Sequence, residues 1–138
     1  MGHTLMNAYD FIGNNTRTYE AVTSGSETYW IETVRTFKHN GLLEDVIVTT
    51  NGNAQAQFTY TYDNLNRLTQ VEYGDIVESY NYNLRGWSTG KTVTADGERL
   101  FSMSARYESP VNSQSLPQFG GNISEWQWGR GNLADKIY

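Results

Sequence analysis

The stretch QAQFTYTYDNLNRLTQVEY, residues 55–73, decides the fold. Ala56, Phe58, Tyr60 and Tyr62 fall on alternate positions, with Gln55, Gln57, Thr59 and Thr61 between them. Period two is the mark of a strand with one apolar and one polar face, whereas a helix spaces its apolar residues by three and four. Asp63-Asn64-Leu65-Asn66 follows, and Asp and Asn favour turns because they hydrogen-bond nearby backbone and tolerate positive φ. Folding the chain back at this turn sets Tyr62 near Arg67, Tyr60 near Thr69, Phe58 near Val71 and Ala56 near Tyr73. The expected unit is a β-hairpin.

Working outward, the same punctuation recurs at Ser24-Gly25-Ser26, Asn40-Gly41, Asn51-Gly52, Gly74-Asp75, Leu84-Arg85-Gly86 and Asp96-Gly97. After the first interval the turns come about every 10 to 13 residues, the spacing of short antiparallel strands. Ile76, Tyr80 and Tyr82 alternate, with Glu78 as an interruption. Phe101, Met103, Ala105 and Tyr107 alternate with Leu100, Ser102, Ser104 and Arg106. This is the pattern of an antiparallel sheet wet on one side. Leu42-Leu43 with Val46-Ile47-Val48 is denser and reads as a strand covered on both faces. The expected fold is all-β: an antiparallel meander of β-hairpin repeats in a curved or partly rolled sheet. Residues 109–121 hold both prolines and read as a long loop. The strand pattern resumes over 122–128, and a further strand is expected at Lys136-Ile137-Tyr138. The domain reading is a flexible tail over 1–8 and one β domain over 9–138.

Composition agrees. The 138 residues include 13 Gly, 13 Asn and 15 Thr but only 7 Ala and 9 Leu, which favours strands and turns over helices. Ten Tyr and four Trp make the apolar content aromatic rather than aliphatic. There is no cysteine, which removes disulfides, thiolate metal sites and cysteine nucleophiles. The formal charge of −5 argues against a nucleic-acid binder. No apolar run approaches the ~20 residues that cross a bilayer, and Met1 to Asn7 lacks the basic-then-apolar pattern of a secretory leader.

Aligning the turns exposes a repeat. An aromatic precedes a Gly or Asn by four positions at Tyr9…Gly13, Phe37…Gly41, Tyr62…Asn66 and Tyr82…Gly86. The aromatic plugs the hairpin end, and Gly or Asn supplies a residue of positive φ. The segment from Tyr60 through Tyr62, Asp63, Asn66, Arg67 and Leu68 to Val71 resembles the YD repeat of Rhs-type proteins, with Asn66 where the motif has Gly. Tyr80, Tyr82, Asn83 and Gly86 are similar to a second copy, with Asn83 in place of Asp. Residues 9–13 and 37–41 resemble weaker copies. Leu100 to Met103 and Gly121 to Ser124 are similar to segments that follow such repeats in Rhs-like proteins of the Bacteroidetes type. The resemblance implies a non-catalytic segment of a large cell-surface or secreted protein. In Rhs and Tc toxins such hairpins coil into a shell around an effector, and in teneurins they form a barrel in an adhesion protein. It further implies partnership with other YD repeats and a capacity to bind carbohydrate. Both prolines follow Ser109 and Leu116, so the autoproteolytic Asp-Pro junction of the Rhs core is not carried over.

The remaining chemistry is sparse. Two histidines, His3 in the expected tail and His39 in a turn, make neither a triad nor a zinc site, and no metal or cofactor is expected. Around Asp63 the alternate positions are Leu65 and Arg67, which fits an Asx turn and not a calcium loop. A glycoside hydrolase would need two carboxylates about 5 to 9 Å apart across a cleft. The sequence offers Glu44-Asp45, Glu72 with Glu78, and Asp96 with Glu98, and places none of them so. Arg67, Arg85 and Arg106 are expected to stack on or pair with neighbouring rings and carboxylates. Trp126 and Trp128, at i and i+2, share one strand face; with Trp87 they are the candidate ligand-binding residues. Exposed, they would form a stacking platform for sugar or protein; the aliphatic-poor composition favours core. A homo-oligomer through unpaired strand edges is also expected.

Overall fold

A computed structural model describes residues 2–130. Ten strands cover most of them: β1 (Gly2–Tyr9), β2 (Asn15–Ser24), β3 (Glu27–Phe37), β4 (Leu43–Thr50), β5 (Asn53–Tyr62), β6 (Leu68–Tyr73), β7 (Ile76–Tyr82), β8 (Ser88–Ala95), β9 (Glu98–Arg106) and β10 (Glu125–Gly129). None of the described residues is helical, so no helix there is long and apolar enough to cross a membrane. The fold is an all-β antiparallel meander. In a meander contacts run between sequence neighbours, as in repeat proteins generally. This chain divides into two compact units, residues 1–67 with β1 to β5 and residues 68–138 with β6 to β10. The strand expected at Lys136-Ile137-Tyr138 lies outside the described residues.

Two kinds of turn alternate along the chain. The long turns are built to one plan. At 63–67 the Asp63 carbonyl accepts the Asn66 N–H (3.0 Å) and the Asp63 N–H donates to the Arg67 carbonyl (2.9 Å). The Asp63 Oδ1 accepts the N–H groups of Leu65 (2.8 Å) and Arg67 (3.0 Å). Asn83 repeats this scheme with its amide oxygen on the N–H groups of Arg85 and Trp87, both at 3.0 Å. Asp10 repeats it on Ile12 (3.0 Å) and Asn14 (2.9 Å). The fourth residue has positive φ in every copy: Gly13 (93°), Gly41 (82°), Asn66 (62°) and Gly86 (83°). Asn66 and Gly86 are thus equivalent, because Asn is one of the few residues other than Gly that adopts this region readily.

The short turns come in two forms. Positive φ at Gly25 and Gly74 alone marks type II′ turns, and positive φ at both Asn51-Gly52 and Asp96-Gly97 marks type I′. The order long, II′, long, I′ runs through turns 10–14, 25–26, 38–42 and 51–52. It runs again through 63–67, 74–75, 83–87 and 96–97. The bulges follow suit. The register shifts at Ala8/Tyr9, Thr36/Phe37 and Asn81/Tyr82 beside long turns, and at Val48/Thr49 and Val93/Thr94 beside I′ turns. The structural repeat is therefore a pair of hairpins, twice the length of the single-turn repeat visible in the sequence.

Burial corrects three expectations. Residues 2–8, within the expected tail over 1–8, join Tyr9 in β1, in register with β2 from Gly2↔Thr23 to Tyr9↔Asn15. The 10–14 turn delivers the segment to β2, and polar cross-strand contacts hold it: His3 Nε2 to Glu20 (2.6 Å), and Asn15 (2.9 Å) and Thr18 (3.0 Å) to Asn7 Oδ1. The β4 run is not covered on both faces, since Ile47 is 37% exposed. Ser102, expected on a wet face, is buried, because its small side chain lies between Thr92 of β8 and Gly129 of β10. Among the described residues only Ala21 and Ala105 are apolar and fully buried. Most aromatic side chains are half-covered, as Phe58, Tyr60 and Tyr62 are in β5.

The irregular segment between β9 and β10 runs over 107–124, longer than the expected 109–121. It occupies the place of the next long turn. Tyr107 directly follows β9 and donates its hydroxyl to the Ser88 carbonyl (2.7 Å), much as Tyr82, the last residue of β7, donates to the Leu68 carbonyl (2.8 Å).

Candidate functional site

Residues paired across antiparallel strands share a face, as do positions i and i+2. Within the second unit this sets Tyr80, Lys91, Met103 and Trp128 in one row across β7 to β10. Glu78, Val93 and Phe101 form a parallel row, and Trp126, opposite Ala105, stands on the same face. Trp126 is 42% exposed, while Trp128 is half-buried. The two tryptophans thus share a face, partly open and partly packed, and are neither wholly core nor wholly platform. Beside them the Glu78 carboxylate accepts from the Tyr80 hydroxyl (2.5 Å) and the Lys91 ammonium (2.7 Å), and that ammonium lies 5.3 Å from the Tyr80 ring centre. The Lys91 hydrogen bond, helped by Tyr80, holds the Glu78 carboxyl below its ordinary value. The same bond raises Lys91, while burial, then Glu78, raises the Tyr80 phenol.

Trp87 is held apart from this row, in the 83–87 turn. Its ring packs on Tyr107 with centroids 5.0 Å apart and planes at 45°. The Arg85 guanidinium lies 5.1 Å from its centre. On another side Gly121 approaches so closely that a Cβ there would sit 3.2 Å from the ring. Arg85 also pairs with Glu108.

Segment 107–124 is a strap tied down from β10. Glu125 pairs with Arg106 across the strands and lies on the face opposite the tryptophans. It is 1% exposed, the only large side chain so fully buried among the described residues. Its Oε2 accepts the N–H groups of Val111 (2.8 Å) and Asn112 (2.6 Å), and its Oε1 lies 3.4 Å from the Arg106 Nε. The strap is further held by the Gln118 N–H on the Tyr107 carbonyl (2.7 Å) and the Ser124 N–H on the Arg106 carbonyl (2.8 Å). At its base an open depression of about 300 Å³ is lined by Asn83, Thr89, Ser104, Arg106, Tyr107 and Glu108, among others. The sequence reading missed Glu125, since a carboxylate next to a tryptophan in a short strand carries no mark of burial. The available signal was Tyr107, an aromatic four residues on from Met103 in strand phase and in the position that precedes a long turn.

The other expected residues serve the turns. Tyr62 lies 5.6 Å from the Lys38 ammonium, and Arg67 Nε bonds Asp63 Oδ2 at 2.6 Å. The Asp63 carboxyl is held below its ordinary value first by the Arg67 N–H, with the Arg67 side chain and the Leu65 N–H adding to it against partial burial. Tyr60 and Leu68 are half-buried. His39 is exposed in the 38–42 turn. Of the carboxylate pairs, Glu72 opposes Val77 and Glu78 opposes Val71, which puts Glu72 and Glu78 on opposite faces. Asp45 accepts from Thr59 at 2.7 Å. No family model matches the chain, and no curated protein matches it.

Proposed function

We propose that this chain is a non-catalytic structural or binding segment of a YD-repeat protein of the Rhs type, at the cell surface or secreted, whose hairpins contribute to a β-shell alongside further YD repeats. The observation that carries the reading is the identity of the long turns: Asp10, Asp63 and Asn83 each cap two backbone N–H groups, and each turn closes on a residue of positive φ. A repeated turn with so little apolar burial suits an array whose stability comes from neighbours. Fractionation of the source cells tests it. Recovery at the surface or in the medium, with loss on protease treatment of intact cells, supports the reading; confinement to the cytosol overturns it.

A second reading is a carbohydrate-binding module. It is favoured by Trp126, 42% exposed and on one face with Trp128 and Tyr80. Titration with a panel of oligosaccharides should then quench tryptophan fluorescence. Trp126→Ala should abolish the quenching while leaving the thermal transition in place.

A further inference from the structure

We propose that the outer edge of β1 is a self-complementary docking edge, and that its occupant is the β1 strand of a second copy of this chain, paired antiparallel about a two-fold axis at Leu5. Among the described residues β1 has one strand neighbour, β2. Its other side carries a row of backbone N–H and C=O groups, the template on which a further strand adds. Natural edges are normally blunted by lysine, proline, a bulge or an inward charge. From Gly2 to Ala8 the strand has none of these: no acid, no lysine or arginine, no proline, and no irregularity before Ala8/Tyr9.

Symmetry then fixes the register. A two-fold axis normal to a continuous sheet keeps each face on its own side, so a residue can pair only with one an even number of positions away, or with its own copy. Centring on Leu5 pairs Gly2 with Ala8, His3 with Asn7 and Thr4 with Met6, and so uses the whole regular strand. Centring on Met6 leaves Gly2 without a partner in β1 and sets His3 against Tyr9, beyond the register shift at Ala8/Tyr9. The side chains agree with the first choice. Leu5 (53% exposed) and Met6 (52% exposed) are large apolar groups in the middle of β1, one on each face. The Leu5 register sets Leu5 against Leu5 on one face and Met6 against Thr4 on the other. No like charges meet along the edge. The opposing term is the net charge of −5 on each copy, which acts at longer range and is largely screened at physiological salt. The proposal rests on β1 and does not require the function proposed above; a further repeat seated on the same edge would take the place of the second copy.

Because the chain has no cysteine, a single introduced cysteine reports one contact. Mass is measured by light scattering on the full chain from low micromolar to near-millimolar concentration, at low and at physiological salt. The expected result is a rise from 15.7 kDa toward twice that value, stronger at higher salt. Leu5→Cys should form a disulfide-linked dimer under mild oxidation, since directly opposed strand residues lie within disulfide reach. Thr23→Cys, on β2, should remain monomeric under the same oxidation. Leu5→Lys should keep the thermal transition and lose the dimer. A mass of 15.7 kDa throughout overturns the proposal. So does a dimer that survives Leu5→Lys, or one in which Leu5→Cys does not cross-link.

Discussion

The short turns at 25–26, 51–52, 74–75 and 96–97 reverse the chain through backbone conformation, whereas the long turns at 10–14, 63–67 and 83–87 reverse it around a side chain. In the short turns the requirement is positive φ, met at Gly25 and Gly74 or at Asn51-Gly52 and Asp96-Gly97. In the long turns a carboxylate or amide oxygen gathers two backbone N–H groups that the strands leave over. The 38–42 turn lies between these cases. Its first residue is Lys38, which offers no oxygen, and Asn40 instead accepts the Leu42 N–H at 3.3 Å. The strap over 107–124 extends the second kind, since Glu125 also gathers two N–H groups, now from outside its own strand and in full burial. What differs along this series is how much of the turn depends on one polar side chain. The effect of removing that side chain should follow the same order.

Glu125→Ala should have the largest effect. It leaves the N–H groups of Val111 and Asn112 without their acceptor and Arg106 without its carboxylate. Arg106 is partly exposed, so the cost falls mainly on the two N–H donors, at about 1–3 kcal/mol for each one left unsatisfied. Urea unfolding should show a lower midpoint, and limited proteolysis should cut within 107–124 before any strand. Glu125→Gln keeps the volume and one acceptor oxygen and should lose clearly less. Equal losses for the two variants would mean that the site responds to volume and not to hydrogen bonding.

Asn83→Ala removes the corresponding acceptor from a partly exposed turn. Two N–H groups lose their partner, at a cost of about 1–2 kcal/mol. Gly86→Ala tests the other requirement of the same turn. At a φ of 83° a Cβ is strained, although nothing lies within 4 Å of it, so the expected loss of about 1–2 kcal/mol is conformational and not steric. Thermal melts of both variants beside Asn64→Ala, whose side chain is exposed in the neighbouring long turn, should show the first two lowered and the third unchanged. If Gly86→Ala melts with the parent chain, the positive-φ requirement is not what defines the long turn.

The all-β fold and its turns were legible because both rest on local chemistry. Alternation over 55–62 and Asn-Gly or Asp-Gly at the reversals act within a few residues of where they are written. The Asx role of Asp63 was readable for the same reason: its partners Leu65 and Arg67 are two and four residues away. Features that depend on distant residues were not readable. Glu125 reaches Val111 and Asn112, and Gly121 reaches Trp87, through the path of a loop whose course no periodicity encodes. β1 does not read as a strand in the sequence because its partners, Glu20, Asn15 and Thr18, come from β2 and its own side chains all stay exposed. The longer repeat escaped notice because types I′ and II′ differ in backbone angles more than in residue choice. The tryptophans were placed correctly on one face, but exposure depends on neighbours, and Met103 opposite Trp128 against Ala105 opposite Trp126 is a difference that only the register reveals.

The smallest effect separates charge from hydrogen bonding in the long turn. Asp63→Asn gives the 63–67 turn the residue that Asn83 already provides in 83–87, with an amide oxygen able to accept the same two N–H groups. Near neutral pH the thermal transition should therefore move little, falling only by the loss of the charge-assisted contact to Arg67. Acid should remove that small difference. The folded Asp63 carboxyl titrates below its ordinary 3.8, held there by the Arg67 N–H and side chain and the Leu65 N–H. A carboxyl lowered on folding contributes stability that is present above its unfolded value and is lost as pH falls through the folded one. The parent chain should therefore weaken as pH drops below about 3.8, whereas Asp63→Asn has no such proton to take up there. Glu78, lowered from 4.5 by Lys91 and Tyr80, remains in both proteins and keeps an acid limb in each. On the alkaline side Lys91, raised from 10.5 by Glu78, gives both the same loss as pH climbs through its raised value. Melting temperatures followed from pH 7 down to pH 2 should converge as the Asp63 carboxyl is protonated. If they stay parallel, the charge on Asp63 adds nothing to what an amide supplies, and the two long turns are equivalent in chemistry as well as in geometry.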